Sequence, residues 1–333
     1  MPETSNTAPF AAGARGQLPA ALGLAIALAA GVLMPIQGRI NGALGRELGD
    51  PVAAALVSFG TGFILLLAGS LGLPAGRAGL AGIRRSIKTR AFPLWYLGAG
   101  AVGAFVVYGQ ALAVPLVGVA LFTVAIVTGQ TLGSLFVDRI GFGTGRKRPI
   151  TGLRAIGSVL TVAAVLWAVS PRLGAAQGEG PALMLTLLVP AVGGVFMGFQ
   201  AAMNGVQAMN YGTPVAATFV NFAVGGALLG VILLVSLPFT GAPNPLPGSW
   251  WYYAGGPLGC VVIGVSALLV RHLGVLLTGL GMIAGQLLGS LGIDLLFPAP
   301  GAIVNLATIG GTVLTLAAVA LASMPFRSVK TRR

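Results

Sequence analysis

The chain is short of charge. Charged residues make up 8% of its 333 positions, and Asp and Glu together number only 6. A soluble domain carries about 25% charged residues, so this chain has too few to coat a water-facing surface, and most of it must be solvated by lipid. Cysteine is represented by Cys260 alone, which excludes a disulfide framework and a thiolate metal cluster. His272 is the single histidine, so a histidine zinc site is excluded as well; beside Arg271 it reads as an interfacial loop residue. No catalytic triad, P-loop lysine or metal-ligand cluster is legible. Hydrolysis and ATP-driven transport therefore lack their residues, and neither enzymatic activity nor a cofactor is expected.

What is present is apolar. Hydrophobic residues account for 56% of the chain and glycine for 53 positions. The stretches Leu18 to Gly38, Val52 to Gly76, Ala91 to Val137 and Leu273 to Ile293 carry no charge, and each is long enough to cross a bilayer core of about 30 Å. Several such stretches make an all-α polytopic membrane protein. A net charge of +13 would suggest nucleic acid in a soluble protein. Here the basic residues cluster between spans, at Arg77, Arg84, Arg85, Lys88 and Arg90 and again at Arg139, Arg146, Lys147, Arg148 and Arg154, the pattern of cytoplasmic loops. No aromatic-interleaved basic groove accompanies them, so the expected partner is the lipid bilayer and not nucleic acid.

The chain is one unit written twice. At an offset of 163, Gln37 matches Gln200, Asn41 matches Asn204, Pro51 matches Pro214 and Phe59 matches Phe222. At an offset of 156, Trp95 matches Trp251 and GQTLGSLFVD (129 to 138) matches GQLLGSLGID (285 to 294). At 154, GSVLTVAAV (157 to 165) matches GTVLTLAAV (311 to 319). Apolar helices resemble one another by chance, but matched Gln, Asn, Ser, Asp and Pro positions do not arise that way. Each copy reads as five spans: 18 to 44, 52 to 73, 92 to 113, 116 to 138 and 150 to 170, then 182 to 208, 214 to 237, 250 to 270, 273 to 296 and 302 to 324. The first apolar segment is not a cleaved signal peptide, because its mid-chain counterpart is equally apolar and cannot be one. The copies occupy 18–171 and 182–325, joined by a linker at 172–181 and flanked by a tail at 1–17 and a basic tail at 326–333.

An odd number of spans per copy makes the second enter the membrane from the side opposite to the first, so the copies are expected to be inverted repeats. Charge placement tests this independently. With both termini inside, only Arg39, Arg46 and Arg172 of the 19 Lys and Arg residues fall outside, the expected sign of bias. Trp95 and Tyr96 open the third span inside, and Trp250, Trp251, Tyr252 and Tyr253 open the eighth outside.

The segments PIQGRINGALGRELGDPVAAALVSFGTG and GQTLGSLFVDRIG, each with its second-half partner, resemble the drug/metabolite transporter superfamily, and within it the YdcZ-type branch of bacterial inner-membrane proteins. The resemblance runs from about residue 18 to 324. It implies a ten-helix, two-repeat transporter fold around a central cavity, in the bacterial plasma (inner) membrane, with cytoplasmic N- and C-termini. Members are commonly single five-span units that must pair, so this chain looks like a fused version, and either a monomer or a homodimer is compatible with it. The membrane glutamate in the first helix of small proton-coupled exporters has no counterpart here. The expected activity is secondary active export of a small metabolite or amphiphilic compound by alternating access. The other class left open is a non-transporting membrane scaffold or small-ligand sensor of the same fold. A channel would need a continuous polar path, which the Gly- and Ala-rich spans do not present.

Within the apolar spans a few polar residues stand out. Gln37 and Asn41, like Gln200 and Asn204, lie four apart on one helical face. An unpaired amide is costly in hydrocarbon, so these faces meet partner helices, a substrate in a wet cavity, or local backbone. Gln130, Ser134 and Asp138, and their matches Gln286, Ser290 and Asp294, form a second stripe on each copy, next to small-xxx-small faces at Gly129 and Gly133 and at Gly285 and Gly289. As membrane carboxylates, Asp294 and Asp138 are candidates for ion coupling, the competing role being a cap or an ion pair at the interface. Arg39 either snorkels to the outer interface or presents a cation to an anionic substrate; its match, Ala202, carries no charge.

Overall fold

The computed structural model describes residues 19–143, 147, 150–175, 180–298 and 302–322. Among them all regular structure is helical: α1 (Ala20–Leu48), α2 (Pro51–Gly72), α3 (Pro74–Lys88), α4 (Ala99–Val117), α5 (Val119–Ile140), α6 (Gly152–Ala175), α7 (Gly180–Tyr211), α8 (Pro214–Thr240), α9 (Gly255–Leu296) and α10 (Leu306–Ala322). Two short 3-10 turns, Leu94–Gly98 and Trp250–Tyr253, precede α4 and α9. Eight helical segments are long and apolar enough to cross a membrane, and two shorter apolar ones, Gly255–Ser266 and Leu306–Ala322, accompany them. Both tails, Arg146 and Arg148 lie outside the described residues, as do the side chains of Arg172, Arg271 and His272.

Local chemistry sets the boundaries. Asp50 accepts hydrogen bonds from the Val52 and Ala53 amides at 2.7 and 3.0 Å, and Pro51 follows at the first helical position, where its missing N–H is harmless. Thr213 and Pro214 repeat the device at the start of α8. Gly118 separates α4 from α5 with φ +84°, a conformation that disfavours a side chain.

One element differs from the sequence expectation. The basic segment after α2, expected as a loop, is the amphipathic helix α3. Pro74 opens it, and Arg85 and Lys88 in its last turn complement the helix dipole. Its narrow face of Gly79, Gly82 and Ser86 seats on α7 and α8, with the Ser86 hydroxyl donating to the Asn210 carbonyl at 3.1 Å. The spans expected at 250–270 and 273–296 follow each other within α9 with no loop between them. Its two ends nevertheless pack on α1 in opposite senses. Gly255 faces Asn41 and Gly259 faces Gln37, whereas Leu273, Gly281, Gly285 and Gly289 climb α1 alongside Gly23, Ala27, Leu28 and Val32. The chain therefore reverses between Gly259 and Gly281.

Packing between the copies is reciprocal. A Cβ on Gly31 would collide with the Met282 carbonyl, and one on Gly285 with the Leu28 carbonyl. In the matched pair, Gly194 abuts the Ile126 carbonyl and Gly129 the Ala191 carbonyl. Gly157 of α6 seats against Ala318 and Ala322 of α10, and Gly311 against Ala164 and Ala168. Phe59 and Phe222, matched to each other, pack as a tilted pair with centroids 4.9 Å apart, each ring filling the space left by the glycine of the other copy, Gly225 or Gly62. Lipid tails are as apolar as leucine, so these crossings are held by close contact and not by a hydrophobic drive; only residues without a Cβ permit it.

Gly285→Ala is expected to push α9 off the Leu28 carbonyl and destabilise the protein by about 1–3 kcal/mol. Gly292→Ala, whose added methyl meets nothing within 4 Å, should leave stability unchanged. Thermal unfolding of the two purified variants in the same detergent checks this.

Candidate functional site

A narrow cleft lies where α1, α4, α5 and α9 converge. Met34, Pro35 and Gly38 of α1 form one wall, and Val119, Phe122, Thr123, Ile126 and Gln130 of α5 form the other; Gln110 of α4 and Gln286 of α9 close it. Three primary amides and a hydroxyl thus meet aromatic and branched apolar groups, with no ionisable side chain in the lining. Its volume is about 20 Å³, room for roughly one water. Gln130 and Gln286, the matched members of the two polar stripes, both reach it from different copies, and the Gln130 amide donates to Met197 Sδ at 3.1 Å.

The other sequence-predicted residues surround this cleft in different ways. Asn41, fully buried, donates through Nδ2 to Gln110 Oε1 at 2.7 Å, tying α1 to a cleft residue. Asn41 Oδ1 and Ser58 Oγ are buried beside Gly255 without a hydrogen-bond partner. Gln37 is buried against Gly259. In the second copy the Gln200 amide donates to the Ala99 carbonyl at 3.1 Å and to Asn221 Oδ1 at 3.2 Å, and Asn221 Nδ2 donates to Asn204 Oδ1 at 2.6 Å. Both amide pairs therefore sit in interhelical polar networks and outside the lining of the cleft. Ser290 is buried and donates to the Leu287 carbonyl of its own helix, while Ser134 is exposed. The Arg39 guanidinium reaches the Pro298 carbonyl at 3.4 Å, in the segment between α9 and α10.

The two carboxylates have different environments. Asp294, 4% exposed, accepts from the Val119 and Ala120 amides at 3.1 and 2.7 Å, so a side chain of α9 caps the start of α5. A Cβ on Gly118 would press on this carboxylate at 2.8 Å, which together with its positive φ makes glycine the fitting residue there. Asp138 instead pairs with Arg154 at 2.9 Å, both about one-third exposed. The first copy breaks at Gly118, and the amides exposed there are the ones that Asp294 takes.

Gln110 and Thr123 were not singled out from sequence, although an amide inside an uncharged span was a legible signal for Gln110. Thr123 had none, since a threonine in a membrane helix commonly satisfies itself on its own backbone. Among the described residues no group of His, Cys, Asp and Glu could hold a metal ion.

Asp294→Leu leaves two amides in the bilayer without acceptors and should destabilise by about 1–3 kcal/mol or more. Asp138→Leu removes an exposed pair worth about 0–1 kcal/mol. Comparing the unfolding of these variants tests whether Asp294 holds α5 in place.

The duplication agrees with the comparison to known proteins. No curated protein matches the chain. A family described as "Putative inner membrane exporter, YdcZ" matches it twice, over residues 22–167 and 185–321, once for each copy. The chain belongs to this YdcZ family of inner-membrane exporters, with two repeats of the family unit in one polypeptide.

Proposed function

We propose that the chain is a secondary transporter that exports a small, uncharged or amphiphilic solute by alternating access of two inverted five-pass halves. In this reading the eight long spans and the two shorter apolar helices make ten passes, α3 lies on the basic, cytoplasmic side, and both termini are on that side. Two contacts support this threading: the Asn244 amide side chain donates to the Glu47 carbonyl at 3.0 Å, joining the α8–α9 connection to the end of α1, and the Ser86 hydroxyl donates to the Asn210 carbonyl at 3.1 Å, joining α3 to the end of α7.

The observation that carries the proposal is the cleft itself. Gln130 and Gln286 enter it from the two copies, beside Gln110 and Thr123, and no charge lines it. Amides and a hydroxyl in a low-dielectric wall suit a neutral hydrogen-bonding solute and disfavour an ion. At about 20 Å³ the cleft is an occluded state, and rocking of one half on the glycine crossings opens it. The pairs Gln37–Asn41 and Gln200–Asn204, with Ser134, Ser290 and Arg39, flank the path as contacts met during opening. Asp294 is the ion-coupling carboxylate: its protonation weakens the cap on α5, the helix that forms one wall of the cleft. Asp138 performs this role less well because Arg154 neutralises it.

The small cleft volume also suits the scaffold or sensor reading, in which the interior stays packed. The two separate without knowledge of the substrate. In Cys260→Ser vesicles, Thr123→Cys is expected to react with a membrane-impermeant maleimide from either side, and Gln130→Leu with Gln286→Leu to bias or abolish that labelling. Protection from both sides under all conditions would leave the scaffold.

Labelling of Thr123→Cys is expected to shift between the two faces as pH falls, with Asp294→Asn, a neutral side chain that keeps one acceptor oxygen, removing the shift. An unchanged pH profile in Asp294→Asn would reduce Asp294 to a structural cap.

A further inference from the structure

The strongest feature not used by the transport reading lies at the end of α3. Arg77, Arg84, Arg85, Lys88 and Arg90 are all exposed. Among the described residues the ion pair is Asp138 with Arg154, so none of these five cations is neutralised by an acid there. Immediately after them an open depression of about 680 Å³ is lined by Arg90, Ala91, Phe92, Pro93, Leu94 and Trp95.

The side chains beneath this depression are packed against α7. Phe92 and Tyr96 are buried; Phe92 stacks on Tyr96 and meets Tyr211 edge-on, and the Gln207 amide donates to the Tyr96 carbonyl at 2.6 Å. The residues between them face outward, with Leu94 41% and Trp95 60% exposed. A cationic rim over an apolar and aromatic floor, at the point where a membrane span begins, is the chemistry of the headgroup layer.

Arg90 supplies the most specific sign. It has φ +50°, and among the described residues it is the non-glycine residue with positive φ. It occupies the position that ends α3: the Ala91 amide donates to the Ser86 carbonyl at 3.0 Å, closing the terminal loop usually built on glycine. Glycine would serve the backbone better, so the guanidinium is kept against local conformational preference. The second copy provides an internal control. At the matching position stands Leu246, and residues 241–249 carry no charge, although Trp251 matches Trp95. The cations belong to one side only and are not demanded by the fold.

We propose that α3 and the depression at Arg90–Trp95 form a binding site for an anionic phospholipid: Arg90 and Lys88 take the phosphodiester, and Leu94 and Trp95 take the glycerol and upper acyl region. Native mass spectrometry of the full chain with phosphatidylglycerol and with phosphatidylcholine tests this. The expected result is retention of phosphatidylglycerol over phosphatidylcholine. Lys88→Gln with Arg90→Gly should weaken that preference by on the order of tenfold or more, at about 1 kcal/mol for each basic residue lost. Arg90→Gly alone should lower the preference without lowering the unfolding temperature, which separates loss of a ligand from loss of the fold. Arg46→Gln, which removes a cation elsewhere, should leave the preference intact, and glycerol phosphate at equal concentration should not compete. Equal retention of both lipids, an undiminished preference in the double variant, an equal loss in Arg46→Gln, or competition by glycerol phosphate would each overturn the proposal.

Discussion

Close approach of helices whose backbones touch is the constraint on which this structure rests. In hydrocarbon every amide and carbonyl must be satisfied within its own helix, so the spans cannot bind each other through main-chain hydrogen bonds. They are left with dispersion contacts and a few side-chain amides. Gly31 on Met282, Gly285 on Leu28, Gly129 on Ala191 and Gly194 on Ile126 bring whole helices to within a methyl group of each other. The aromatic pair Phe59 and Phe222 fills the space at the α2–α8 crossing in the same reciprocal fashion. A high glycine content, which would be a liability in a water-soluble helical protein, is here the source of cohesion.

Reciprocity makes the departures from it informative. At one break point, Gly118 ends α4 and starts α5 with a positive φ. The amides exposed by that break are taken by Asp294 from the other copy, while its match Asp138 turns to Arg154. The cleft shares this bias, because α5 contributes five lining residues and the matched arm of α9 contributes Gln286.

Amide side chains provide the directional part of the packing. Asn41 to Gln110, and Gln200 to Asn221 to Asn204, cross between helices at distances of 2.6 to 3.2 Å. Such bonds are worth only about 0.6 kcal/mol each in a membrane, so they set register more than they hold the bundle together. That weakness is compatible with movement: a contact that is specific in direction and small in energy can be exchanged for another as helices slide.

Much of this was legible in the residues. Hydropathy, the repeated Gln-x-x-x-Asn and GQ-x-LGSL segments, and the Asp-Pro and Thr-Pro boundaries determined the membrane class, the duplication and the places where α2 and α8 begin, because those features act over one helical turn or one bilayer thickness. The stripe spacing also brought Gln130 and Gln286 to notice as a pair. The amphipathic helix α3 was hidden behind its charges. Only the tertiary structure decided that Asp294 caps α5, that Gln110 and Thr123 join the cleft, and that Gln37 and Asn41 lie behind it. Those assignments depend on which faces of distant helices meet. That choice is made by the sum of many small crossings, and no local stretch of sequence contains it.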